Sequence, residues 1–364
     1  MSDVTLSSGA TRFFSTCNAS IRRTFAEHIP LYICALVFGI ATIAIAIVYR
    51  LTLPLEASVV FLELVPKFVV LGIALGALHR LVFLLRQGNG ERPLPEIARW
   101  LSGQFLVDDR PGNVFHTLLA LMPLMISFAA LKNDIPQIHP FAWDQTFTQW
   151  DRVIGLGMLP WQILQPVLGH PIVTASLNLV YDSWFLAMFG CLFWQAFSAR
   201  GGNLRMQFLL AFAFEWFIGG NVLAAVFSSA GPCFYGHFAS PDPYAAQMQY
   251  LHQANLVWPV LSVPLQNLLW QSYATGSGVV MGISAMPSMH VTSSALMALL
   301  GWRVNKWIGG GFTLFTTLVA IGSVHLGWHY AVDSIAGILL ALIFWYAAGA
   351  IVKFSAPREA TYAG

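Results

Sequence analysis

An all-α, polytopic membrane bundle of about eight transmembrane helices is the fold class this sequence predicts, on three observations. Of 364 residues, 57% are hydrophobic and 9% charged, with a mean hydropathy of +0.66, too few charges to coat a soluble globule of this size. Apolar windows of the ~18 or more residues that cross a bilayer recur along the chain. The Lys and Arg residues then fall on alternating flanks of those windows, as cytoplasmic ends accumulate them.

Taken in order, the spans are expected at 31–49, 59–85, 114–131, 172–197, 204–228, 287–304, 309–327 and 332–352. With the N-terminus cytoplasmic, the inner flanks hold Arg12, Arg22, Arg23, Arg80, Arg86, Arg92, Arg99, Arg110, Arg200, Arg205, Arg303, Lys306, Lys353 and Arg358, which is 14 of the 18 Lys and Arg residues. Only Arg50, Lys67, Lys132 and Arg152 lie outside, and the segment from Ser229 to Ala285 has neither residue type. Both termini are therefore expected in the cytoplasm. The chain is read as an N-terminal part (1–113) with two spans and a cytoplasmic loop, a membrane domain (114–356) and a cytoplasmic tail (357–364).

Three connections are unusual. Residues 87–112 carry Gly88-Asn89-Gly90, Arg92-Pro93, Pro95 and Arg110-Pro111-Gly112, an amphipathic inner loop rich in turn formers. Residues 133–171 hold Trp143-Asp144, Trp150-Asp151-Arg152, Gly155, Gly157 and Pro160-Trp161, aromatics that favour the outer headgroup layer. Residues 229–285 begin Ala230-Gly231-Pro232-Cys233-Phe234-Tyr235-Gly236, continue with Gln, Tyr, Trp and Pro, and end near Gly276-Ser277-Gly278; a partly helical lid over a lipid-accessible pocket is expected there. The first apolar run is long enough to span and lacks a small-residue cleavage pattern, so it is read as an anchor. Cys17, Cys34, Cys191 and Cys233 are scattered, giving no expectation of a disulfide framework or of a metal site. Asn18-Ala19-Ser20 fits a glycosylation pattern but falls on the cytoplasmic side. A net charge of +2 implies no nucleic-acid partner.

Chemistry concentrates in two short segments, Pro287-Ser288-Met289-His290 and Gly327-Trp328-His329-Tyr330-Ala331-Val332-Asp333. Each abuts an apolar helix, where ionisable side chains are costly and mark function. Pro287 reads as the first turn of a helix, whose free N–H groups attract anions such as phosphate. Ser288 can donate to that phosphate, and His290 can protonate a departing oxygen. His329 and Asp333 are four apart and share a helix face. A carboxylate on one imidazole nitrogen leaves the other free to attack phosphorus. On the predicted topology both segments, with Gly231-Pro232, face the exoplasm.

Together, the proline-serine-any-histidine and glycine-any-histidine-tyrosine-plus-aspartate segments resemble the two C-terminal signatures of the phosphatidic acid phosphatase type 2 superfamily. The resemblance covers about residues 286–340 firmly and implies a six-helix core. It implies that His329 is a nucleophile forming a phosphohistidine, Asp333 its orienting group, His290 the general acid, and Ser288 a phosphate contact, with no cofactor. Two basic features of those phosphatases are missing: Gly322 and Ser323 stand where a serine-arginine pair is expected, and no lysine and arginine-proline pair precedes His290 on the outer face, Arg92-Pro93 being on the wrong side. Gly231-Pro232-Cys233-Phe234-Tyr235 instead looks like an element of the inositolphosphotransferase branch, which includes inositol phosphorylceramide synthases, and Trp150-Asp151-Arg152 with Gly155 is similar to an upstream element of it.

Other polar residues within spans leave two readings each. Asn178 and Asp182, four apart, and Glu215 and Asn221 suit either a polyol headgroup or acceptor hydroxyl, or hydrogen bonding between helices. His325, four before His329, is a candidate for the same pocket. Lys67 either reaches towards phosphate or snorkels to the interface. The expected function is a membrane phosphotransferase moving a phospho-headgroup from a phospholipid donor to a lipid or other alcohol acceptor such as a ceramide. A lipid-phosphate phosphatase and a non-enzymatic lipid transporter are the alternatives.

Overall fold

The computed structural model describes residues 2–52, 55–87, 93–105, 107–198, 202–276 and 282–355. Gly88 to Arg92, Arg200, Ser277-Gly278 and the tail at 357–364 lie outside the described residues. The helices are α1 (Ser2–Tyr49), α2 (Leu55–Arg86), α3 (Pro93–Phe105), α4 (Arg110–Lys132), α5 (Ile135–Ile138), α6 (Asp144–Ile154), α7 (Pro160–Leu168), α8 (Pro171–Asp182), α9 (Trp184–Ala196), α10 (Gly202–Phe214), α11 (Ala224–Val226), α12 (Ala245–Val257), α13 (Ser262–Thr275), α14 (Met289–Val304), α15 (Lys306–His325) and α16 (Ala331–Ser355). A π-helical stretch, Glu215–Leu223, joins α10 to α11, and a 3-10 turn spans Pro232–His237. The described residues form no strand, so the fold is all-helical, as the sequence predicts.

Each expected span meets a helix. Among the described residues, six helical segments are long and apolar enough to cross a membrane: Phe14–Tyr49, Arg110–Lys132, Pro171–Ala196, Gly202–Val226, Lys306–His325 and Ala331–Ser355. α14 has 16 residues, short of the ~20 that cross a bilayer alone. It is a core helix, packed on α9, α10, α15 and α16, so it has neighbours rather than lipid around most of its length.

Three expectations need correction. The first helix begins well before residue 31, because its polar early turns are covered: Ser20, Thr24 and His28 are buried, and the Gly112 N–H of α4 donates to Ser20 Oγ at 3.0 Å. A Cβ on Gly112 would stand 2.6 Å from the Ser20 carbonyl, so only glycine permits that approach. Pro287 is not in the first helical turn. α14 starts at Met289 with Ser288 in the N-cap position, and Ser288 makes no side-chain cap bond. Finally, His329 precedes α16 by two residues, in the turn after α15, so His329 and Asp333 do not lie on one helix.

The two long non-spanning connections fold into helices that brace the turn between α15 and α16. Gln247 of α12 donates to the Val324 and His325 carbonyls at 2.7 and 3.1 Å, and Gln266 of α13 to the Leu326 carbonyl at 2.9 Å. Trp328 Nε1 donates to Ser262 Oγ at 2.9 Å. A turn with free carbonyls would be costly to bury; here the glutamines of the 229–285 segment satisfy it.

Candidate functional site

The site grows from the N-terminus of α16. Asp333 is its third residue, and its Oδ2 accepts the Tyr330 N–H at 2.9 Å, the backward half of a capping box. The same oxygen lies 3.4 Å from His329 Nδ1. The nearer partner of that nitrogen is the Ala285 carbonyl, at 2.7 Å. A carbonyl can only accept, so Nδ1 carries the proton and donates, and Nε2 is left with its lone pair. The histidine's tautomer is therefore set by the backbone just ahead of Pro287 as well as by Asp333.

His290 stands opposite, its ring centroid 6.0 Å from that of His329. Two aromatic rings from α8 and α9 hold it, Tyr181 stacked at 4.5 Å and Trp184 at 4.1 Å between centroids. Trp184 is fixed in turn, its Nε1 donating to Ser293 Oγ at 2.7 Å. The Ser288 N–H donates to the Asp333 carbonyl at 3.3 Å, which ties the two signature segments together. Ser288 Oγ is buried and has no partner among the described residues.

Gly231-Pro232 and Tyr235 support this arrangement from behind. Gly231 has φ +98°, and a Cβ there would stand 2.8 Å from the Trp328 carbonyl, so glycine is required by conformation and by space. The Cys233 N–H donates to the Gly327 carbonyl at 2.8 Å. Pro232 is buried, and Tyr235 packs on Tyr244, 5.6 Å between centroids. Two expected pocket residues are engaged elsewhere. His325 Nε2 meets Thr174 Oγ1 at 2.9 Å, and Asp182 accepts from Asn178, whose own carbonyl oxygen takes the Ser262 N–H at 2.9 Å. Lys67 pairs at 3.2 Å with Glu63 on an exposed face.

Sequence reasoning missed Tyr181, Trp184 and Ala285, and it gave Asp144 and Asp151 no role. Asp144 accepts the Ala230 and Gly231 N–H groups at 2.9 and 2.8 Å and the Tyr330 hydroxyl at 2.8 Å. Asp151 accepts the Ala331 and Val332 N–H groups at 2.9 and 3.0 Å, the first donors of α16 that no residue within that helix can satisfy. A signal was available: Trp-Asp occurs twice, at Trp143-Asp144 and Trp150-Asp151, seven residues apart and so on one face of α6.

Burial pushes the Asp151 carboxyl up to about 7, against the two N–H bonds that favour its ionised form. Its value in the unfolded chain is near 4, so the stability it contributes is full below about pH 4 and is lost as pH rises through about 7. Between pH 5 and 8 the wild type is expected to lose melting temperature relative to the Asp151→Asn variant; thermal melts of both proteins at the two pH values check this difference.

A family model described as the PAP2 superfamily matches residues 145–347. No curated protein and no solved structure matches the chain.

Proposed function

This chain belongs to the PAP2 superfamily, and we propose that within it the protein is a phosphotransferase that moves a phospho-headgroup between lipids at the exoplasmic face. The observation that carries the reading is His329, whose Nδ1 is occupied by Ala285 and Asp333 while its other nitrogen has no hydrogen-bond partner among the described residues. In the first half-reaction that Nε2 attacks the donor phosphorus; a P–N bond forms, the P–O bond to the leaving alcohol breaks, and His290 gives that oxygen its proton. In the second, His290 takes the proton of an acceptor hydroxyl, whose oxygen displaces His329 from phosphorus. Ser288 Oγ, buried and unpartnered, is placed to donate to the phosphoryl oxygens.

Lipid as the acceptor is favoured over water by the enclosure of the turn that carries His329. The glutamines of α12 and α13 and the Trp328–Ser262 bond hold a helical cover over it, and exclusion of water decides between transfer and hydrolysis. The inositolphosphotransferase-like Gly231-Pro232-Cys233-Phe234-Tyr235 element and the missing arginine at position 323 point the same way. The distribution of Lys and Arg supports an exoplasmic site.

The test is product analysis. Purified protein in lipid nanodiscs is incubated with a panel of phospholipid donors, with and without ceramide or diacylglycerol, and products are identified by mass spectrometry. The expected result is a new headgroup-bearing lipid only when an acceptor is present. Dephosphorylation at the same rate with or without acceptor would make the protein a phosphatase.

A further inference from the structure

Phosphoryl transfer needs positive charge at the non-bridging oxygens, and the residue six before His329 is Ser323, not arginine. Ser323 is buried, with its hydroxyl bonded to the Ala320 carbonyl at 2.8 Å and 3.1 Å from that of Ser334, so it supplies no charge. We propose that Lys132, at the C-terminal end of α4, is the phosphate-binding cation of this site. α4 lies outside the matched stretch 145–347, so the catalytic core would borrow its cation from a helix that precedes that stretch. The inference rests on the phosphotransfer reading above.

Three observations place Lys132 there. Its stem runs against Gly282, where a Cβ would stand 2.6 Å from Lys132 Cγ and 3.1 Å from the Lys132 carbonyl. Gly282 has φ +102° and lies three residues before Ala285, the acceptor of His329 Nδ1, and six before Ser288. A glycine at this point lets the lysine lie alongside the segment that carries both groups. Next, the charges acting on His290 are those of His329 and Lys132, so the ammonium is close to the acid that protonates the leaving group. Finally, the Lys132 ammonium makes no hydrogen bond or ion pair among the described residues. Asp134, the nearest acid along the chain, instead accepts from Gln137 at 2.9 Å.

The other cations expected on the outer side are all exposed, Arg50 in the turn after α1. Lys67 is paired and exposed, and Arg152 points to the surface, exposed on α6. A half-buried ammonium without a partner is unfavourable unless an anion completes it. As a compact charge with three donors, lysine suits one or two phosphoryl oxygens rather than the forked pairing an arginine makes.

The experiment measures binding of orthovanadate and inorganic phosphate to full-length protein by calorimetry, alongside turnover, for the wild type, Lys132→Gln, Lys132→Arg and His329→Ala. Loss of one charge-stabilising group of this kind costs about 100-fold. Lys132→Gln is expected to weaken both anions at least tenfold and to lower kcat/KM about 100-fold, with unchanged melting, while Lys132→Arg recovers most of both. Anion binding within twofold of wild type in Lys132→Gln would overturn the proposal, as would a wild type that binds neither anion. If anion binding depends on Lys132 but turnover survives His329→Ala, the phosphohistidine mechanism falls and the cation site stands.

Discussion

His329→Ala is expected to lower turnover by about 10⁴-fold or more, the scale on which a covalent nucleophile is lost, with little change in melting temperature. The side chain is buried, but its contacts among the described residues go to one carbonyl and one carboxylate, and neither holds two helices together. Trapping adds an independent readout. A wild-type enzyme quenched during turnover of a donor labelled in its phosphate is expected to carry an acid-labile, alkali-stable phosphoryl group, and His329→Ala none. His290→Ala is expected to fall less, by about 10²–10⁴-fold, the usual worth of general acid–base catalysis, and still to accumulate label when the leaving group is a good one such as a nitrophenol. Equal turnover by wild type and His329→Ala would sink the histidine mechanism.

Much of this site was legible because its chemistry is local. The spacing within Pro287-Ser288-Met289-His290 and within Gly327 to Asp333 survives without knowledge of the fold, and so did the spans, since their apolar length alone identifies them. What stayed hidden depends on contacts between distant segments. Ala285 as the acceptor of His329 Nδ1 pairs residues 44 apart, and nothing in an alanine's side chain announces that its carbonyl is used. The Tyr181 and Trp184 rings around His290 read in sequence as ordinary residues of an apolar span. Asp182, one residue from Tyr181, attracted attention as an ionisable group, yet it pairs within its own helix. Helix ends were misplaced at Pro287 because the proline's preference for the first turn competes with a turn that joins this segment to the Asp333 carbonyl.

Asp333→Asn is expected to be damaged less than the same change in a serine-hydrolase triad, where the asparagine admits the wrong histidine tautomer and costs about 10⁴-fold. Here Nδ1 has a second and nearer acceptor, the Ala285 carbonyl at 2.7 Å against 3.4 Å to Asp333, and a carbonyl cannot donate. The proton therefore stays on Nδ1 when the carboxylate is gone, and Nε2 remains the nucleophile. What disappears is the negative charge that offsets the cation developing on the imidazole as the P–N bond forms. A fall in kcat of about 10²–10³-fold with nearly constant KM is expected, since a stronger interaction in the transition state than in the ground state is removed. Asn can still accept the Tyr330 N–H that Asp333 now takes at 2.9 Å, so the fold should hold. Asp333→Ala loses that bond too and should cost about 1 kcal/mol of stability, the typical worth of a helix cap. Steady-state kinetics and thermal melts of the two variants separate charge from cap. If Asp333→Asn is as inactive as His329→Ala, the carbonyl does not hold the tautomer, and the carboxylate alone orients the nucleophile.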